Sequence, residues 1–234
     1  MGNVVVIKFG GGLITDKSKM CTPEFVIIDN LVNAVKQCME SGLKVIVVHG
    51  AGSYGHLRAK YWRLNEGLMD ANEFIAQSDC NSQKEAVSIV RNDMLTLNQI
   101  ILDSFNKHDI STMSLPPHKW ARNTGSKFSG NVKEIFSSDA DVMISFGDVV
   151  DCDQGEFGIL SGDDLVVRIG PDIPNVSKLV FAIGGVDGIL KRPPEVANDD
   201  DLIQRWSPKI EFTGIHYADI DVTGGIGLKA TRGA

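Results

Sequence analysis

No run of this 234-residue chain approaches the roughly 20 consecutive apolar residues that a membrane helix needs. Basic residues are outnumbered, with 23 Lys and Arg against 30 Asp and Glu and a formal charge of −7. Bulk attraction to nucleic acid or to an anionic membrane is therefore excluded, and an anionic substrate would need a local basic site. Cysteine is scarce. Cys21, Cys38, Cys80 and Cys152 lie too far apart for a Cys-x-x-Cys or Cys/His zinc site, and reduced thiols in the cytoplasm are the simplest expectation. No signal-peptide pattern precedes the first strand. Internal repeats and low-complexity linkers are missing too. No G-x-x-x-x-G-K-[ST] segment occurs, which disfavours a P-loop nucleotide site.

What is present is ordinary for a globular protein: 43% hydrophobic and 23% charged residues, in a length that suits one or two domains. Apolar runs alternate with helical patterns. Val4 to Phe9 is apolar apart from Lys8, and Lys44 to Val48, Ile110 to Leu115, Val142 to Phe146 and Leu179 to Ile183 read as further strands. Pro116 and Pro117 stop the third of these, and Val149 to Ile159 reads as a hairpin around Gln154 and Gly155. Thr22 is expected to cap a helix with Pro23 and Glu24 in its first turn. Ile28, Leu31, Val35, Cys38 and Met39 form its apolar face, and Gly42 ends it. A long helix is expected over about 82–106, with Val87, Val90, Met94, Leu97, Ile101 and Phe105 on one stripe. Strands buried on both faces and alternating with helices predict an α/β fold, a mainly parallel sheet with helices on both sides. A loose boundary is expected near Asp163.

Ligands collect at the carboxyl ends of parallel strands, and here those ends are rich in glycine. The first turn is Gly10-Gly11-Gly12, bracketed by Lys8 and Lys17. Bare peptide N–H groups between two cations suit a polyphosphate. The competing reading is a tight turn with a snorkelling lysine. The second turn, His49-Gly50-Ala51-Gly52-Ser53-Tyr54-Gly55-His56, contains a G-x-G-x-x-G dinucleotide fingerprint, with Asp70 near the expected acidic position. It follows the second strand instead of the first. His56 is placed to donate to an oxyanion, whereas His49 reads as a packed histidine. A third cluster joins Ser145 to Val150 and Ile159 to Asp164, where Asp163 and Asp164 could cap a helix or hold lysines in place. The fourth, Asp221 to Lys229, again sets glycines ahead of a lysine. Asp199-Asp200-Asp201 reads as an exposed loop or helix start, and no metal site is expected from protein side chains.

These four clusters, in this order and over nearly the whole chain, resemble the amino-acid-kinase superfamily, and within it they are most similar to the isopentenyl phosphate kinases. The resemblance implies an open αβα sandwich. Residues 1–160 would form an acceptor-binding lobe, and 161–234 a nucleotide-binding lobe that family members extend further. It implies a homodimer that uses ATP and Mg²⁺ on a small phosphorylated substrate. By position, Lys8, Lys17 and Lys229 would contact the ATP phosphates. Gly10, Gly11, Gly12 and Gly52 would supply backbone donors, Asp163 would orient the lysines, and Asp187 and Gly225 would lie in the nucleotide pocket. His56 would bind the acceptor's phosphate, and Ala51, Gly52 and Gly147 would lie against the substrate. Val87, Val90 and Met94 would wall an isoprenoid tail, although plain core explains much of that stripe. The chain departs from the family at Gly184-Gly185, where Thr-Asp usually precedes the Val-Asp-Gly seen here as Val186-Asp187-Gly188. A sister kinase acting on a phosphonate such as fosfomycin, an NAD-dependent oxidoreductase and a non-catalytic nucleotide-binding module stay open as alternatives.

Overall fold

The computed structural model describes residues 3–70, 80–153 and 156–205. Val4–Phe9 (β1), Lys44–His49 (β2), Thr112–Ser114 (β3), Val142–Phe146 (β4) and Val176–Ala182 (β7) form one sheet in the order β3-β4-β2-β1-β7. Every pairing in it is parallel. Asp148–Asp151 (β5) and Phe157–Leu160 (β6) pair antiparallel as a separate ribbon, as the hairpin pattern predicts. The tip expected at Gln154 and Gly155 lies outside the described residues.

The helices are Gly11–Ile14 (α1), Phe25–Glu40 (α2), Gly52–Tyr61 (α3), Gln83–Lys107 (α4), Val132–Ile135 (α5) and Gly162–Asp172 (α6). They cover both faces of the sheet. Along β1 the side chains alternate: Val5, Ile7 and Phe9 join the core with residues of α2, α3 and α4, whereas Val4 and Val6 join that of α5 and α6. Burial on both faces is why β1, β2 and β4 read as unbroken apolar runs rather than alternating ones. No helix among the described residues is long and apolar enough to cross a membrane.

Two helix boundaries show local chemistry at work. α2 begins at Phe25 without the expected cap, because the Thr22 hydroxyl donates to the Met20 carbonyl and no side chain caps Glu24. Its end is as predicted. Gly42 takes φ +81°, its N–H donates to the Met39 carbonyl and that of Leu43 to the Cys38 carbonyl, the paired bonds of a Schellman ending. α4 spans residues 83–107 against an expected 82–106. Ser82 is its N-cap, accepting from the Glu85 amide.

Candidate active site

Because the sheet is parallel, the carboxyl ends of β1, β2, β3, β4 and β7 lie along one edge, and the glycine turns predicted from the sequence meet there. Gly50 N–H donates to the Phe9 carbonyl, Gly10 N–H to the Ala182 carbonyl and Gly147 N–H to the His49 carbonyl. The turns after β1, β2, β4 and β7 are thereby hydrogen-bonded into one rim. The first two interlock. A Cβ on Gly11 would strike the Gly52 nitrogen and stand 2.9 Å from its Cα, so no larger residue fits at this approach.

Lys8 is the one charge in β1 and is 6% exposed. Its ammonium lies 2.6 Å from the Asp163 carboxylate at the start of α6. Asp163 does not cap that helix. The cap is Ser161, which forms a reciprocal box with Asp164, leaving Asp163 to meet the lysine. Lys17 is exposed, but its chain folds back across Gly12, where an added Cβ would overlap its Cε and lie 2.7 Å from Nζ. Lys17 therefore borders the first glycine turn directly, whereas the Lys8 side chain runs from the strand before that turn to the start of α6, its Cε 3.2 Å from a Cβ added at Gly162. Lys229 and Gly225, with the whole cluster from Asp221, lie outside the described residues.

α3 starts immediately beyond the second turn, with Ala51, which offers no side-chain cap, as its N-cap; the Ser53 N–H of its first turn donates to Thr15 Oγ1 at 2.9 Å. The positive end of the helix dipole favours an anion here. His56 is half-buried on this helix's second turn. His49 is fully enclosed, stacked on Phe146 at 4.9 Å, with Nδ1 3.1 Å from the Gly50 carbonyl and Nε2 3.4 Å from Asn98 Oδ1. Burial pulls its pKa down to about 4, so it is a neutral core residue at physiological pH. Asn98 in turn donates to Ser114 at 2.7 Å, which ties the second turn to α4 and β3.

Val87, Val90 and Met94 are 6%, 3% and 0% exposed, inside the core shared by α2, α3 and α4. Val90 and Met94 flank Gly55, the residue before His56. Gly147 sits against the start of α6, its added Cβ 3.2 Å from the Gly162 nitrogen. Asp187 is exposed in the turn after β7, and Gly184 of that segment packs on Leu13 of α1. Asp70 lies in the connection between α3 and α4, not at the end of a strand following α3. The acidic partner of a dinucleotide fold would need that strand end, so the fingerprint at Gly50 to Gly55 lacks its context.

Sequence reasoning missed three polar elements beside the rim. Asp148, directly after Gly147, is fully buried and accepts from His118 through both Nδ1 at 2.6 Å and the backbone N–H at 3.1 Å. Asn98 reads in sequence as part of a long helix, and Thr15 as one residue of a turn. Only proximity in space brings out their roles, since His118 and Asp148 are 30 positions apart and no spacing rule links them.

The family model for the amino acid kinase family matches residues 3–232 of the chain. The chain belongs to the amino acid kinase family. It is therefore a phosphotransferase by family, with the parallel sheet between helix layers that the sequence predicts. It is 31% identical over 229 residues to the isopentenyl phosphate kinase of Thermoplasma acidophilum, covering 97% of this chain and 84% of the relative. To the isopentenyl phosphate kinase of Methanocaldococcus jannaschii it is 26% identical over 240 residues, covering 97% and 85%. Among solved structures it is similar to the T. acidophilum isopentenyl phosphate kinase product complex, with a TM-score of 0.67, 27% identity, and coverage of 84% of this chain and 76% of that one.

Proposed function

We propose that this amino acid kinase moves the γ-phosphate of ATP onto isopentenyl phosphate. The observation that carries the reading is the 31% identity to an isopentenyl phosphate kinase across 97% of the chain. The interlocked glycine turns, with Lys8 just before one and Lys17 upon it, and α3 with His56 on the other, support it. In this reading Lys8, Lys17 and Lys229 neutralise the triphosphate, and Gly10, Gly11, Gly12 and Gly52 offer it backbone N–H groups. Asp163 holds Lys8 in place, and Asp187 and Gly225 border the nucleotide. His56 donates to the acceptor's phosphate. Ala51 and Gly147 border the acceptor, and Val87, Val90 and Met94 back its tail. Residues 1–160 serve the acceptor and 161–234 the nucleotide.

An acceptor phosphate monoester has a second pKa of about 6 and is largely dianionic at neutral pH. One of its oxygens attacks the γ-phosphorus in line, the bond from that phosphorus to the bridging oxygen breaks, and the electron pair leaves on ADP. No proton has to be removed, so no general base is required. The protein's task is alignment and charge neutralisation, which lysines and peptide N–H groups perform. Mg²⁺ enters this proposal on family resemblance; bound chiefly by triphosphate oxygens and water, it would add further neutralisation. A cytoplasmic homodimer belongs to the same proposal, on family resemblance.

ADP release with isopentenyl phosphate, fosfomycin and amino acids as acceptors tests the reading, with the isopentenyl phosphate rate expected to dominate. Preference for the phosphonate would replace the substrate assignment, and ATP binding without turnover on any acceptor would replace the kinase. A hydrogen bond to a charged group contributes about 1.5–3 kcal/mol. His56→Ala should therefore raise the KM for isopentenyl phosphate by roughly 10- to 100-fold and leave that for ATP nearly unchanged. Equal weakening of both substrates would remove His56 from the acceptor side.

A further inference from the structure

Past the last backbone bonds of the sheet, one buried hydroxyl joins the turn after β1 to the helix that carries His56. Thr15 is 2% exposed. Its Oγ1 donates to the Gly11 carbonyl at 2.7 Å and accepts from the Ser53 N–H at 2.9 Å. Donation to the carbonyl four residues back is common near helix ends and carries no message alone. Acceptance from an amide 38 positions away is a different matter, since it fixes two separate chain segments to each other.

Ser53 closes the arrangement from the other side. Its carbonyl accepts from the Cys21 N–H at 3.3 Å and its hydroxyl oxygen from the Thr22 N–H at 3.1 Å. The loop from Thr15 to Thr22 is thus held to the first turn of α3 at both ends. Within that loop lies Lys17, folded over Gly12. One side of this junction carries Lys17 and the Gly11 turn, the other the opening amides of α3 and His56.

We infer that Thr15 is a positioning residue: its hydroxyl locks the turn that meets the γ-phosphate to the helix that meets the acceptor, and so sets the gap the phosphoryl group crosses. This rests on the kinase reading above. A single oxygen must donate and accept at once, which Thr and Ser can do and Val cannot. Phosphoryl transfer depends on alignment, and a misplacement of about 1 Å can cost on the order of 100-fold in rate. The hydroxyl touches neither reacting group, so its loss should fall on kcat and spare both KM values.

The test compares Thr15→Val, Thr15→Ser and the wild type in steady-state assays with ATP and isopentenyl phosphate. Thr15→Val should lower kcat by about 10- to 100-fold with both KM values within about threefold, and Thr15→Ser should restore kcat to within about threefold of wild type. Thr15→Ala removes the same bonds with less crowding and serves if the valine variant does not fold. A folded valine or alanine variant with kcat within about threefold of wild type overturns the inference. So does a serine variant as slow as the valine one, or a loss confined to the KM of one substrate. A wild-type chain that releases no ADP sinks the kinase reading and this inference with it, whereas an active wild type with an unimpaired valine variant sinks this inference alone.

Discussion

Replacing Asp163 by alanine removes the carboxylate that meets the Lys8 ammonium 2.6 Å away, where the two side chains are 3% and 7% exposed. At an effective dielectric constant of about 20, charges at that distance attract by roughly 6 kcal/mol. Removing the two ions from water costs several kcal/mol each. These terms nearly cancel, so the intact pair adds little to stability relative to an apolar pair. Losing one partner is different and costs about 3–5 kcal/mol. In a chain of this size each kcal/mol moves Tm by about 2–4 °C, so Asp163→Ala should lower Tm by on the order of 10 °C. Lys8→Met should do similar harm by stranding the carboxylate. The double variant Lys8→Met/Asp163→Ala carries neither charge and should lose less stability than the two single losses added together. Urea unfolding followed by circular dichroism measures all four corners of this cycle. Simple additivity of the two single losses, or an Asp163→Ala variant within about 1 kcal/mol of wild type, would refute the claim that the two groups form a buried pair.

Two other perturbations follow from the rim. His49 has a pKa of about 4 in the folded chain against an ordinary value of 6.5, because burial disfavours its charged form. Between pH 4 and 6.5 the unfolded chain holds a proton that the folded one lacks, so this contribution is complete above pH 6.5 and declines as pH falls toward 4. The loss across that window is on the order of 3 kcal/mol, and His49→Gln should remove close to one proton's worth of slope from unfolding free energy against pH. An unchanged slope would show that His49 titrates normally. Gly52 has φ +50°, and an added Cβ would collide with Thr15 Oγ1. Gly52→Ala should cost about 2–5 kcal/mol from left-handed strain and overpacking, read as a fall in Tm. A variant as stable as wild type would mean that the turn is not held in this conformation.

The sheet was legible in the sequence wherever burial on both faces produced an unbroken apolar run, as in β1, β2 and β4. β3 is shorter than its apolar stretch suggests, because Ser111 bonds to Asp141 and Pro116 follows soon after. The glycine turns were legible as chemistry because a parallel sheet sends its strand ends to one edge. Their mutual contact was not, since Gly11 and Gly52 meet only through tertiary packing. Helix caps divided the same way. Gly42 acts locally and ends its helix as expected, and Ser82, which the sequence reading placed inside its helix, caps it by a local bond to the Glu85 amide, whereas Thr22 was drawn off by the Met20 carbonyl. Thr15, Asn98 and His118 found partners 38, 16 and 30 positions away, and no periodicity carries such pairings.

The place of β1 between β2 and β7 has a consequence for synthesis. β1 pairs with β2 on one side and with β7 on the other, and the residues of β7 leave the ribosome some 170 positions later. At about 5–20 residues per second that interval is on the order of 10–30 s. During it one edge of a strongly β-prone hexapeptide, Val4–Phe9, waits without its second neighbour, the kind of edge through which nascent chains adhere to one another. The lysine at its fifth position is the lone charge in the segment, and a charge there acts against such sticking. The ammonium proposed to steady a triphosphate in the finished molecule thus also guards the strand before the molecule is complete.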